Sequence, residues 1–276
     1  MKKTIATIIV IIFAVAIFTG CEKKESEPDS VYSVTELCFF KGETKIYGNL
    51  YAPTDKKEKH PAVILSHSAN VNSDSLRSYA KGFAERGYIA YAFDFCGGSG
   101  TSRSDGEKDY MTVFTECDDL LAVIDGIKNL TCVDSSSLFL FGTSQGGLIS
   151  ALVAEKRADI AGLILLYPAF NIPELASSYG FGTSPFIDTL KNFDIYSSIG
   201  KFDKNVLILH GSLDFIVKKS YSERASELYN NCTLHIIKGA GHGFNADNFS
   251  IFGDFDNEVW EYIDEYLNIA YSEKIS

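Results

Sequence analysis

The sequence predicts an α/β fold: a mostly parallel sheet with helices on both faces. Three observations carry that prediction. Apolar runs that read as strands alternate with amphipathic helical stretches from Ala62 to Leu267. An alternating pair of segments joined by a glycine-containing link precedes them and reads as an antiparallel hairpin. The run Leu138 to Phe141 passes through Gly142-Thr-Ser-Gln-Gly146 into Leu148-Ile-Ser-Ala-Leu152, which is a strand, a tight turn and a helix. With 276 residues, 46% of them hydrophobic and 22% charged, the chain has material for one large globular domain.

The first thirty residues stand apart from that domain. Lys2-Lys3 is a basic start, and Ile5 to Phe18 is apolar but short for a membrane span. The run ends in Phe18-Thr-Gly-Cys21. This resembles the lipobox of bacterial lipoproteins, with Phe18 where an aliphatic is usual. The resemblance implies a signal peptide over 1–20, lipidation of Cys21, export, and a membrane anchor. A plain signal peptide or an uncleaved anchor is the alternative. Glu22 to Ser30, charged and carrying Pro28, reads as a tether over 21–30. The folded domain is then 31–276.

Thr35–Phe40 and Lys45–Tyr51, with alternating apolar residues (Leu37, Phe39; Ile46, Leu50) on either side of Lys41-Gly-Glu-Thr44, read as the hairpin. Pro53 and the charged run Asp55 to His60 read as a loop. Ala62–Leu65 is a buried strand that enters the small polar loop Ser66-His-Ser-Ala-Asn70. Asp74 to Arg86 places Leu76, Tyr79, Ala80 and Phe83 on one helical face, stopped by Gly87. Tyr88–Phe93 is a strand, followed by the glycine-rich loop Asp94–Ser102. That loop lacks both a P-loop lysine and G-x-G-x-x-G spacing, so phosphate binding is not read from it.

Val113, Cys117, Leu120, Leu121, Ile124 and Ile127 mark a helix from about Met111 to Lys128. After the Leu138 strand and its helix comes the strand Ala161–Tyr167. No strand pattern follows from Ala169 to Lys204, a stretch rich in aromatics. That length points to a small cap over about 170–204, inserted after the sixth strand, rather than a loop. Val206–Leu209 is a strand, Tyr221–Tyr229 a helix, Thr233–Ile237 the last strand, and Phe255 to Leu267 the closing helix.

Ligands of such sheets sit at the carboxyl ends of strands. Ser144, the His67 loop, the Asp94 loop, Asp214 and His242 all fall just past predicted strands and so converge on one edge. A serine hydroxyl is a weak nucleophile until a sharp turn lifts it clear of the backbone and a base takes its proton. Gly142 and Gly146 permit such a turn around Ser144, and the following helix aims its first N–H groups at the reacting centre. His242, between glycines, is positioned as the base. Asp214, past the preceding strand, is positioned to fix its tautomer.

Of the other histidines, His60 reads as solvated, His235 as structural and His210 as ordering the Asp214 loop. Asp194 and Asp203 precede the strand and fit the acid role less well. Backbone N–H groups of Gln145 and of Ala69, with Ser68 or Asn70 as neighbours that could serve instead, are the expected oxyanion donors. The bland reading of the serine motif is an ordinary glycine-rich turn.

Gly142-Thr-Ser-Gln-Gly146, His210-Gly-Ser-Leu-Asp-Phe-Ile-Val217 and Gly239-Ala-Gly-His-Gly-Phe244 together resemble the α/β-hydrolase superfamily from about Val31 onward. Asp94-Phe-x-Gly-x-x-Gly-x-Ser102 adds to the likeness. The pattern is most similar to bacterial cinnamoyl or feruloyl esterases and neighbouring serine carboxylesterases, which carry a modest cap after the sixth strand. The resemblance implies an α/β-hydrolase fold and two-step acyl transfer on a small-molecule ester, with no cofactor. Tyr179, Phe181 and Phe186 would then line an acyl pocket, or simply pack the cap. One departure is His67-Ser68, where those enzymes usually read His-Gly.

A serine peptidase of the same fold, aminoacyl- or dipeptidyl-peptidase-like, is the alternative. A binding lipoprotein with a vestigial triad, a thioesterase and a lipase are the remaining readings. With 25 basic against 36 acidic residues, net −11, the chain is poorly suited to nucleic acid or a polyanionic substrate. Loss of Lys2 and Lys3 would make it more acidic still. Beyond Cys21, five cysteines remain, an odd number without metal-ligand spacing, and they read mostly as buried free thiols.

Overall fold

A computed structural model of the chain describes residues 30–172, 174, 189–190, 193–245, 247 and 250–275, with backbone alone from 271 onward. The signal-like segment, Cys21 and most of the tether lie outside the described residues, as do Tyr179, Phe181 and Phe186.

The described strands are β1 (Tyr32–Lys41), β2 (Thr44–Pro53), β3 (His60–Ser66), β4 (Ile89–Phe93), β5 (Val133–Thr143), β6 (Gly162–Leu166), β7 (Asn205–Gly211) and β8 (Cys232–Ile237). They form one sheet in the order β1-β2-β4-β3-β5-β6-β7-β8. β1 and β2 pair antiparallel, and so do β2 and β4. Every other pairing is parallel. The opening hairpin closes through Gly42, whose φ of 63° meets the positive φ that tight hairpin turns require.

The described α-helices are α1 (Arg77–Glu85), α2 (Val113–Lys128), α3 (Gln145–Ala154), α4 (Ile195–Ile199), α5 (Ser220–Ser226) and α6 (Asp256–Ile275). Strand alternation divides the core between the two sheet faces. Ile64, Tyr91, Leu140, Leu165 and Ile208 pack with Leu120 and Ile124 of α2 and Leu148 and Leu152 of α3. Val63, Phe141, Ile164 and Leu207 pack on the other face with Tyr79 and Phe83 of α1 and Val259 and Ile263 of α6. Each such side chain contributes roughly 1.5–3 kcal/mol of burial, so both faces must be covered for the sheet to stand.

Several expectations are corrected. His60 is buried rather than solvated, because β3 begins two residues early. Its Nδ1 then reaches the Gly87 carbonyl at 3.0 Å and its Nε2 reaches Asp55 at 3.2 Å. β5 starts at Val133, five residues before the apolar run, with Asp134 accepting from the Ser136 N–H and hydroxyl. The Asp74–Arg86 helix is divided into a 3-10 turn, Ser73–Leu76, and α1. The five described cysteines are free thiols, but only Cys117 is buried. His235 stacks on Tyr262 of α6, ring centroids 3.8 Å apart. Among the described residues no helix is long and apolar enough to cross a membrane.

Candidate active site

The loops after β3, β4, β5, β7 and β8 leave from the same edge of the sheet, because those five strands run in one direction. At its centre the turn from β5 to α3 holds Ser144 at φ 50° and ψ −115°. A non-glycine residue there is strained, and the turn is held by its neighbours. The Ser144 N–H donates to the Leu166 carbonyl at 3.0 Å, and the Ser144 carbonyl accepts from Gly147, Leu148 and Ala169. The glycines are steric necessities. A Cβ on Gly142 would stand 2.3 Å from the Gly146 carbonyl oxygen, and one on Gly146 would stand 2.2 Å from that of Ser66.

The structure brings Ser144, His242 and Asp214 together. Ser144 Oγ lies 2.9 Å from His242 Nε2, and His242 Nδ1 lies 2.7 Å from Asp214 Oδ2. A carboxylate only accepts, so the imidazole carries its proton on Nδ1 and offers Nε2 to the serine hydroxyl. Asp214 is tied down on its other oxygen by the N–H groups of Ile216 and Val217, both at 2.9 Å. Burial alone would raise the Asp214 pKa. Hydrogen bonds from His210 and His242, with the charge His242 can carry, instead hold it well below the usual carboxylate range.

His210 and His67 are both buried in hydrogen-bonded scaffolding. His210 Nε2 donates to the Val217 carbonyl at 2.8 Å and also lies 3.2 Å from Asp214 Oδ2, while its Nδ1 accepts from the Ser222 hydroxyl at 2.8 Å. His67 Nδ1 donates to the Ser68 carbonyl at 2.7 Å, and its Nε2 accepts the Phe95 N–H at 3.1 Å. Its burial lowers its pKa. Asp94 anchors the neighbouring loop, accepting from Ser73 and from the Arg103 N–H and guanidinium. That network is a strut for the loop.

Ser68, Ala69 and Asn70 line the same cavity as Ser144 and His242. Gln145, first residue of α3, has a main-chain N–H with no acceptor inside the helix. Ser68, the departure noted from the His-Gly pattern, has its hydroxyl hydrogen-bonded to that of Thr143 at 2.9 Å. That bond ties the Ser68 side chain to the last residue of β5.

The cavity is about 530 Å³. Val71, Leu213, Phe215, Ile216, Ile251 and Phe252 wall it, with Ser75 and Tyr167. Among the described lining residues none is an Asp, Glu, Lys or Arg. Phe215 is 78% exposed and Ile251 84%, an apolar rim at the mouth of the kind that marks binding surfaces. Sequence reasoning missed this rim because it lies in loops with no periodicity to betray it. It also missed Tyr167, which follows β6 at φ 39° and sets its ring 4.7 Å from that of His242.

A family model described as serine aminopeptidase, S33, matches residues 57–194. The thermostable monoacylglycerol lipase of Bacillus sp. (strain H-257) is 28% identical over 139 residues, 48% of this chain and 53% of that protein. An uncharacterized 31.7 kDa protein of Escherichia coli, from the traX-finO intergenic region, is 31% identical over 102 residues, 36% of this chain and 35% of that protein. The chain thus spans only 35% and 53% of the length of these two curated relatives. Among solved structures, Est1E of Butyrivibrio proteoclasticus with ferulic acid bound superposes with a TM-score of 0.73 at 26% identity, covering 84% of this chain and 99% of that one.

Proposed function

The chain belongs to the S33 serine-aminopeptidase family of α/β-hydrolases, and on that premise we propose that it hydrolyses apolar carboxylic esters through Ser144, His242 and Asp214. One observation carries this choice over peptide hydrolysis. The described cavity beside Ser144 is apolar and offers no carboxylate. An aminopeptidase substrate brings a charged amino group to the site, and burying an ammonium without a partner costs several kcal/mol. A neutral ester meets no such penalty. The ferulic acid held by Est1E and the lipase name of the Bacillus relative support the same substrate class.

In this reading Ser144 Oγ bonds to the ester carbonyl carbon while its proton passes to His242 Nε2. The carbonyl oxygen takes the electron pair and lies against the N–H groups of Gln145 and Ala69, donors of a kind worth roughly 10²–10³ in rate. Collapse expels the alkoxide, which takes the proton from His242 and leaves as alcohol. Water then attacks the acyl-enzyme, giving its proton to His242. That proton returns to Ser144 as the carboxylic acid departs. Asp214 stays ionised throughout and stabilises the imidazolium.

The test is turnover of p-nitrophenyl butyrate, methyl ferulate and an aminoacyl-p-nitroanilide by wild type and Ser144→Ala. Ester hydrolysis lost by at least roughly 10³-fold in the variant supports the proposal. Anilide turnover without ester turnover would establish the peptidase reading, which the family's description favours. We further read residues 170–204 as a cap and Cys21 as the lipid-bearing first residue of an exported protein. Cys21→Ser should then release the protein from membranes into the soluble fraction.

A further inference from the structure

Beneath the Ser144 turn lies a buried polar pair that the acyl-transfer mechanism does not use. Gln145 Nε2 is 2.9 Å from Glu116 Oε1 and 2.7 Å from Oε2. Glu116 projects from the buried face of α2, and Gln145 opens α3. Both are buried, Glu116 completely. The side chain that Glu116 grips thus belongs to the residue whose main-chain N–H is the proposed oxyanion donor.

Packing alone does not explain a carboxyl there. Val113 and Leu120, one turn either side on α2, belong to the core, and a leucine in place of Glu116 would suit it better. The groups around Glu116 do not neutralise it. Asp119, one turn along α2, is engaged by Lys41 of β1 and by the Cys96 N–H at 2.9 Å. Lys41 is therefore committed to Asp119. Cys117 and Asp118 follow on α2, and among the described residues no ion pair is formed by Glu116. Burial pushes Glu116 up to about 8, against the pull of the Gln145 bond and with the push of Asp119.

We infer that Glu116 is a positioning residue that clamps the Gln145 side chain and so fixes the direction in which the first N–H of α3 points at Ser144. The inference rests on the ester-hydrolase reading above. A neutral Glu116 holds the amide without adding negative charge behind the developing oxyanion. An ionised one adds that charge through a low-dielectric interior, where it opposes the transition state.

The experiment compares wild type, Glu116→Gln and Glu116→Ala on p-nitrophenyl butyrate between pH 6 and 10. Rates are expressed per site titrated by a fluorophosphonate, so that unfolded protein is not counted. Wild-type kcat should fall above about pH 8. Glu116→Gln keeps the clamp and stays neutral. It should hold kcat within about threefold at pH 7 and lose the alkaline fall, whereas Glu116→Ala should lose roughly 10–100-fold in kcat with little change in KM. The inference is overturned if Glu116→Ala keeps wild-type kcat per titrated site, if Glu116→Gln is as impaired as the alanine variant, or if wild type and Glu116→Gln share one alkaline limb. Failure of the ester-hydrolase reading looks different: wild type then neither labels at Ser144 nor turns over the ester.

Discussion

One oxygen of Asp214 faces two histidines: His242 Nδ1 at 2.7 Å and His210 Nε2 at 3.2 Å. His242 belongs to the loop after β8, whereas His210 is the penultimate residue of β7. The strand therefore locates the carboxylate that in turn orients the loop-borne histidine. His210→Ala would strip the Val217 carbonyl and the Ser222 hydroxyl of their partner as well. We expect a loss of roughly 2–3 kcal/mol in urea unfolding and a fall in kcat of about tenfold or more from a loosened Asp214. Wild-type kcat in a folded His210→Ala variant would show that the loop holds Asp214 without it.

The serine turn tolerates no side chain at Gly146, where a new Cβ would stand 2.2 Å from one carbonyl oxygen and 2.6 Å from another, those of Ser66 and His67. Both obstacles are backbone, one ending β3 and one opening the loop that follows, and cannot rotate aside. Gly146→Ala should destabilise the protein by about 3 kcal/mol or more, read as a fall in Tm. It should also abolish fluorophosphonate labelling in whatever folds, because the displaced loop carries Ala69.

The apolar rim should govern affinity for acyl length rather than stability. Phe215 and Ile251 are exposed and bury little surface within the fold. Replacing both by alanine should leave Tm unchanged while raising KM for p-nitrophenyl octanoate by about tenfold, some 1.4 kcal/mol. The acetate ester, too short to reach the rim, should be unaffected. Equal losses on both esters would remove the rim from substrate binding.

Glu116 also makes stability depend on pH. Folded Glu116 keeps its proton to about pH 8, whereas the unfolded chain releases it near 4.5. Between these values the folded state binds more protons, so stability from this group falls as pH rises, by up to about 1.4 kcal/mol per pH unit. Below 4.5 and above 8 its contribution is flat. Urea unfolding from pH 5 to 8 should show the gap between Glu116→Gln and wild type widening in favour of the variant. Parallel curves would mean that Glu116 is already ionised in the native state.

Much of this site could be read from the chain because its chemistry follows strand ends. Ser144, Asp214 and His242 each sit just past an apolar run, and parallel strands deliver such residues to one edge whatever their separation in sequence. What stayed hidden depends on contacts that sequence does not order. His60 looked solvated among charged neighbours, yet the Gly87 carbonyl, supplied from beyond α1, draws it into the sheet. Glu116 falls on the apolar face of α2, three residues after Val113 and four before Leu120. That placement was a visible signal, but its partner could be known only once α2 lay against α3. The rim at Phe215 and Ile251 had no signal at all, since neither loop repeats.

The hairpin that opens the fold has a geometric outcome for the whole molecule. β1 runs in the direction of β4, with Tyr32 opposite Pro53 at the edge remote from Ser144. Its ten residues span roughly 33 Å. A pull applied through Ser30 would therefore reach the domain at the edge opposite the cleft.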